Sequence, residues 1–212
     1  MRCRTYDGSV TDEMTSNEPA LGLRELKKRQ TRIAMHRAAL ELVLEHGLAG
    51  VTVEAIAQRA GVSTRTFFNH WTTKESAIIG VLAEEGEGVA ETLRQRLEDS
   101  SPHEALRSVL RDVVDSAPAD ISVRELKKQV MAKEPRLHSL SAGTMLSMQT
   151  DLVEVLAEAI EGDDARERAM LSVQIGFAVT RSAFATSMMR GIDLTAAFDE
   201  FLARYDAGDA VF

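Results

Sequence analysis

A chain of 212 residues, 44% hydrophobic and 27% charged, can bury a core and is not a disordered polymer. Its one cysteine, Cys3, excludes a disulfide scaffold and a thiolate metal site, and no apolar run approaches the roughly 20 residues of a membrane span. The net charge of −8 hides an asymmetry: from Arg24 to Lys74 nine Lys/Arg stand against four acids, net +5, whereas residues 81–212 hold 14 basic and 24 acidic residues, net −10. A small basic segment joined to a larger acidic one suits a polyanion reader attached to a second module. A solvated surface divided by chance gives the same count. Between Tyr6 and Glu18 the chain is polar and acidic, with no signal-peptide core, so the expected compartment is the cytoplasm.

Residues 1–22 lack periodicity and carry Gly8, Ser9, Pro19 and Gly22. They read as a mobile tail, with Met14 as a second candidate start. From Leu23 a helix is expected: Ile33, Ala34, Ala38, Leu40, Val43 and Leu44 recur near a 3.6-residue period, and Gly47 supplies a left-handed stop. Thr52 can cap a short helix over Val53–Ala60, with Glu54 at its positive end. Gly61 breaks that helix and Ser63 caps the next. Thr72-Thr73-Lys74-Glu75 reads as a capping box opening a long helix over 73–98. Ser101–Glu104, with Pro102 at the first helical position, and Ser122–Glu125 read as two more boxes. Amphipathic segments over 102–116, 122–133, 136–161, 164–190 and 194–206 follow, separated by Pro118, Pro135, Gly162-Asp163-Asp164 and Gly191. The aspartates before 165 read as a cap. No run alternates as a hairpin would. The expected fold class is all-α, with an N-terminal three-helix domain over 23–72 joined by a long helix to a C-terminal helical domain within 73–212.

The informative stretch is Thr52 to Lys74, TVEAIAQRAGVSTRTFFNHWTTK. Small Ala57 lets two helices approach, Gly61 makes the turn, and Phe67 plugs the angle between them, the spacing a helix-turn-helix needs. With Phe67 and Trp71 inward, Thr64, Arg65, Phe68 and Asn69 face outward. That face suits a major groove. Arg65 can pair bidentately with guanine, Thr64 and Thr66 can touch several bases, and Asn69 can reach adenine or a phosphate. Phe68 can pack on a thymine methyl or a sugar. Ser63 and Thr52 bring hydroxyls and helix N-termini to phosphates, Lys74 can grip the backbone, and His70 either packs or touches phosphate. The run Lys27-Lys28-Arg29, with Arg24 and Arg32, is either a DNA-contacting arm or a solvated face.

The stretch AALELVLEHGLAGVTVEAIAQRAGVSTRTFFNHWTTKESAI resembles the DNA-binding domain of TetR-family transcriptional regulators, over about 55 residues from Arg24 to Ile79. Its Thr-Val-x-x-Ile-Ala, Ala-Gly-Val-Ser and x-Lys-Glu elements stand at the family's spacings. Two positions depart: the family usually has a phosphate-bonding tyrosine near Phe68, a bond phenylalanine cannot make, and Trp71 stands for the usual phenylalanine. The resemblance implies a sequence-specific transcriptional regulator, a repressor released from a palindromic double-stranded DNA operator by a small-molecule inducer; the methionines crowded in the C-terminal helices, without a buried-charge motif, point to a neutral or weakly acidic lipophilic one. It implies a homodimer built through the last two helices, here 164–190 and 194–206, and a C-terminal domain for ligand binding and dimerisation. Activators, ligand-independent regulators and a helical carrier with an inert helix-turn-helix are alternatives.

For the pocket, Met145, Met148, Leu152, Phe177 and Phe184 are the candidate lining, with Arg181 placed to meet a carboxylate; at helical spacing the same residues also read as core. Gly86 and Gly88, inside the long helix, are either a hinge or an early helix end. No catalytic set, metal site or cofactor is expected. The five histidines lack metal spacing, and no phosphate loop, nucleophile elbow or paired carboxylate motif is present.

Overall fold

The computed structural model describes residues 22–80 and 83–209, and every regular element among them is helical. The tail and second start expected within residues 1–21 lie outside the described residues. In chain order the elements are α1 (Leu23–His46), a 3₁₀ turn (Leu48–Gly50), α2 (Val53–Arg59), α3 (Thr64–Phe68), α4 (Lys74–Ile79), α5 (Ala83–Arg96), α6 (Pro102–Ser116), α7 (Ile121–Lys133), α8 (Pro135–Glu158), α9 (Ala165–Arg190) and α10 (Leu194–Asp206).

Several local expectations are corrected. The long helix over 73–98 is two helices: α4 stops at Gly80, whose φ of +75° places it in the left-handed region, while its N–H bonds the Ser76 carbonyl at 2.8 Å. Gly86 and Gly88 therefore lie inside α5, and the break falls earlier. The capping box is one residue late of the expected one. The Thr73 hydroxyl accepts from Ser76 N, and the Ser76 hydroxyl accepts from Thr73 N, so Thr72 and Glu75 do not form it. Asp120, not Ser122, caps α7, its carboxylate accepting from Ser122 N at 2.8 Å. Asp164 stands at the start of α9 without making a side-chain cap bond. The box at Ser101–Glu104 forms as expected.

Two apolar cores organise the molecule. The first joins α1, α2, α3 and α4 around Met35, Leu40, Ile56, Phe67, Trp71 and Ile78, and extends onto Val123, Val130 and Leu137 of α7 and α8. α1 is thus buried on two sides, against α2 and α4 and against α7. Met35, Ala39 and Leu42 are buried while Ala34, expected inside, is exposed. The second core joins α5, α6, α8, α9 and α10 around Leu93, Leu110, Leu152, Val173 and Phe198.

Polar ties connect the two at the elbow between α6 and α7. Arg29 of α1 donates to the Asp115 carbonyl and, at 3.3 Å, to that of Ala117. Arg37 of α1 donates to the Asp120 carboxylate and to the Ser122 hydroxyl. Glu134 accepts from Leu48 N at 3.1 Å, and Arg124 of α7 reaches Ser187 of α9 at 3.0 Å.

Candidate nucleic-acid interface

The turn between α2 and α3 is built by backbone chemistry. Gly61, at φ +68°, donates to Gln58 O, and Val62 donates to Ala57 O at 2.9 Å, the paired bonds of a Schellman ending. Ala57 is buried at the crossing, and Phe67 and Trp71 fill the angle, both essentially without exposure. Each short helix is capped by its own hydroxyl: Thr52 accepts from Ala55 N and Ser63 from Thr66 N. Ser63 and Thr66 also bond each other at 2.9 Å, which holds the Thr66 hydroxyl close to the start of α3.

Thr64, Arg65, Phe68 and Asn69 share the solvent side of α3, and Phe68 is 58% exposed. A phenyl ring on water against a rigid, fully packed platform is the arrangement of a contact surface, since burial elsewhere would have been favourable by about 1.5–3 kcal/mol. Phe67 meets Phe68 edge-on at 5.5 Å between centroids, which fixes the exposed ring's direction. Arg65 makes no side-chain bond among the described residues, so its five donors are available.

The basic residues divide by helical phase. Arg32 sits over the Trp71 ring with 4.9 Å from its guanidinium carbon to the centroid. His70 is held below the ordinary imidazole range by partial burial first and by the charges of Lys28 and Arg32 second. Lys28 and Arg32 are four apart and share a face. Arg29 turns the other way, into the α6–α7 elbow, and so does not join this face. The i, i+4 phase of Lys28 with Arg32 was the sequence signal for Lys28. Lys74 also works inside the protein: its ammonium donates to Leu48 O at 3.1 Å and Val51 O at 2.8 Å, tying the 3₁₀ turn to the start of α4 and engaging two of its three donors.

None of the candidate pocket residues lines the cavity that opens between α6, α8, α9 and α10. Met148, Leu152 and Phe177 are packed in the second core, Phe184 lies against it, and Met145 and Arg181 are exposed. That cavity has a volume of about 620 Å³. Among the described residues no group of three or more His, Cys, Asp or Glu could hold a metal, and no helix is long and apolar enough to cross a membrane.

Residues 37–77 match the model of bacterial regulatory proteins, tetR family. The HTH-type transcriptional regulator TcmR of Streptomyces glaucescens is 30% identical over 191 residues, covering 82% of this chain and 83% of that one. The chain belongs to the TetR family. The HTH-type transcriptional regulator BetI 1 of Chromohalobacter salexigens is 32% identical over 109 residues, 50% of this chain and 51% of its own. Among solved structures, the fold matches that of the transcriptional regulator FadR from Bacillus subtilis, in complex with stearoyl-CoA, with a TM-score of 0.51 at 21% identity over 81% of this chain and 96% of that one. The protein is accordingly a TetR-family helix-turn-helix transcriptional regulator of all-α, two-domain architecture, and its relatives are regulators.

Proposed function

We propose that the protein is a cytoplasmic repressor that binds a palindromic operator as a homodimer and lets it go when a small lipophilic molecule binds the C-terminal domain. The observation that carries the reading is the outward face of α3. Arg65 with free donors, Thr64, Asn69 and an exposed Phe68 stand on a platform locked by Phe67 and Trp71. Arg65 is the base reader in this scheme. Lys28 and Arg32, on the same side, meet phosphates, with Thr52, Ser63, Thr66 and His70 at the flanks.

Pairing of two chains is supported by α9. Leu171, Gln174, Ala178, Arg181, Ala185 and Met189 recur at intervals of three and four along its exposed side, with Leu171 at 61% and Met189 at 78% exposure. Such a stripe suits helix-on-helix packing by a second copy. Two heads then engage major grooves about one helical turn, roughly 34–36 Å, apart.

Binding-site selection with the purified protein tests the reading. A palindromic consensus bound by a dimer is expected. Arg65→Ala should lose about 1–3 kcal/mol on that site and relax one base position, with little loss on random duplex. Equal affinity for random and selected duplexes would refute the reading.

A further inference from the structure

His70 stands at the edge of the DNA face with its imidazole unbonded. Its backbone is fixed: the N–H groups of His70 and Trp71 both donate to Phe67 O at 2.9 Å, closing the end of α3. The ring is half-buried. Its Nδ1 is buried and has no hydrogen-bond partner among the described residues, and its Nε2 bonds none of them either. A buried nitrogen without an acceptor disfavours a proton there, so the free protein holds the neutral ring. The nitrogen left to meet a ligand is Nε2.

The charges around the ring are of one sign. Arg32 of α1 lies over Trp71, the next residue, and Lys28 stands one helical turn before Arg32 on the same face. Lys28 and Arg32 are the charges that act on His70, and no carboxylate is among them. Partial burial first, and these two cations second, hold the imidazole below its ordinary range. The other histidines stand elsewhere. His36 is buried against Ala77 of α4, and His46 ends α1 beside Glu45, 3.4 Å away. His103 and His138 belong to α6 and α8.

We propose that His70 grips a DNA phosphate as an imidazolium, and that it takes up the proton only when the duplex docks. The proposal rests on the DNA face described above. The cations that keep the proton away in the free protein are the ones that attract phosphate. A phosphate drawn to Lys28 and Arg32 brings negative charge into the same space, so the field at the ring reverses on docking. A bond from Nε2–H to a phosphate oxygen favours the charged ring further. The imidazole thus titrates below its ordinary 6.5 in the free protein and above it in the complex. Between those two midpoints the complex holds more protons than the free protein. Duplex affinity therefore rises as pH falls through that window and is flat on either side of it. The gain is about tenfold for each pH unit that separates the midpoints. The face acquires its third cation only where a phosphate is present, which spares the free protein a like-charge cluster. Phosphate contacts carry no sequence information, so the effect belongs to random and selected duplexes alike.

Fluorescence anisotropy tests this with two labelled duplexes of about 30 base pairs, one of random sequence and one from binding-site selection. Affinity is measured at fixed ionic strength from about pH 8 to about pH 6, where carboxylates and lysines keep their charges and histidines do not. The full-length protein should bind both duplexes at least about threefold tighter at the acid end. His70→Gln can still donate a hydrogen bond but cannot charge, and it should lose most of that dependence. In proton NMR spectra the His70 ring, assigned by its absence from His70→Gln, should shift its titration midpoint upward when the random duplex is added. Parent binding that does not change with pH overturns the proposal and leaves the DNA face standing. So does a midpoint that DNA leaves in place. A uniform loss of affinity by His70→Gln, with the parent's pH dependence kept, also overturns it, because a purely structural or neutral contact behaves that way. No binding of either duplex at any pH overturns the DNA face, and the proton linkage with it.

Discussion

Gly80 divides what the hydrophobic pattern presents as one helix, and replacing it tests why. Gly80→Ala meets two separate penalties. The backbone is left-handed at φ +75°, which costs an alanine about 1–2 kcal/mol. The new Cβ would stand 2.7 Å from His36 Cε1 and 3.0 Å from Nε2. That ring has little room to yield: it is 5% exposed, and its Nδ1 donates to the Ala77 carbonyl at 2.7 Å. Overpacking of this kind costs about 1–3 kcal/mol, so the total loss is roughly 2–5 kcal/mol. Gly191→Ala is the matched control. Its φ is +66° but nothing lies within 4 Å of the added Cβ, so only the strain of about 1–2 kcal/mol applies. Gly88→Ala, inside α5 with open space around it, should stabilise by about 1 kcal/mol. Urea denaturation followed by circular dichroism at one protein concentration measures all three, and the Gly80→Ala/His36→Ala pair isolates the overlap. Equal losses at Gly80 and Gly191 would refute the role assigned to His36. A gain at Gly80 would mean that a continuous helix is the better state.

The buried His36 is held down to about 4, first by burial, then by the nearby charges of Lys127 and Arg32, against the opposing bond to Ala77 O. Unfolded, it takes up a proton near pH 6.5, so stability should fall as pH drops from about 6.5 to about 4, by up to about 3 kcal/mol, and His36→Gln should flatten that limb in urea melts at stepped pH. Thr73→Ala should cost about 1 kcal/mol by loss of the α4 cap, while Thr72→Ala, one residue outside it, should change stability by less than about 0.5 kcal/mol in the same melts. Arg29→Gln should loosen the α1 tie to the α6–α7 elbow, lowering stability by about 1 kcal/mol, with the salt slope of operator binding left unchanged; a slope reduced by about one unit would return Arg29 to the DNA face.

The sequence alone determined whatever is local. Cap residues, glycine stops and the 3.6-residue period are read within a few neighbours, so α2, α6 and α10 were placed to within a residue, as was the start of α3, and the inward Phe67 and Trp71 followed from helical phase. The outward face of α3 followed from the same phase, because a helix that buries two positions of known spacing has its exposed side set. What stayed illegible depends on groups distant in sequence. A lysine or arginine looks alike whether it meets a phosphate or a carbonyl of its own chain. Only packing put the Lys74 ammonium on Leu48 O and Val51 O, and Arg29 on an elbow 86 residues away. Thr72 and Thr73 offer the same hydroxyl, and the direction of entry into α4 chose between them. A methionine or phenylalanine at helical spacing fits a core or a pocket equally well. The cavity lies between α6, α8, α9 and α10 beside the close Leu110–Gly176 contact, and Met148, Leu152 and Phe177 are not in its lining. Periodicity reports which side of a helix is apolar; how closely the facing helices approach is decided by side chains contributed from the rest of the chain.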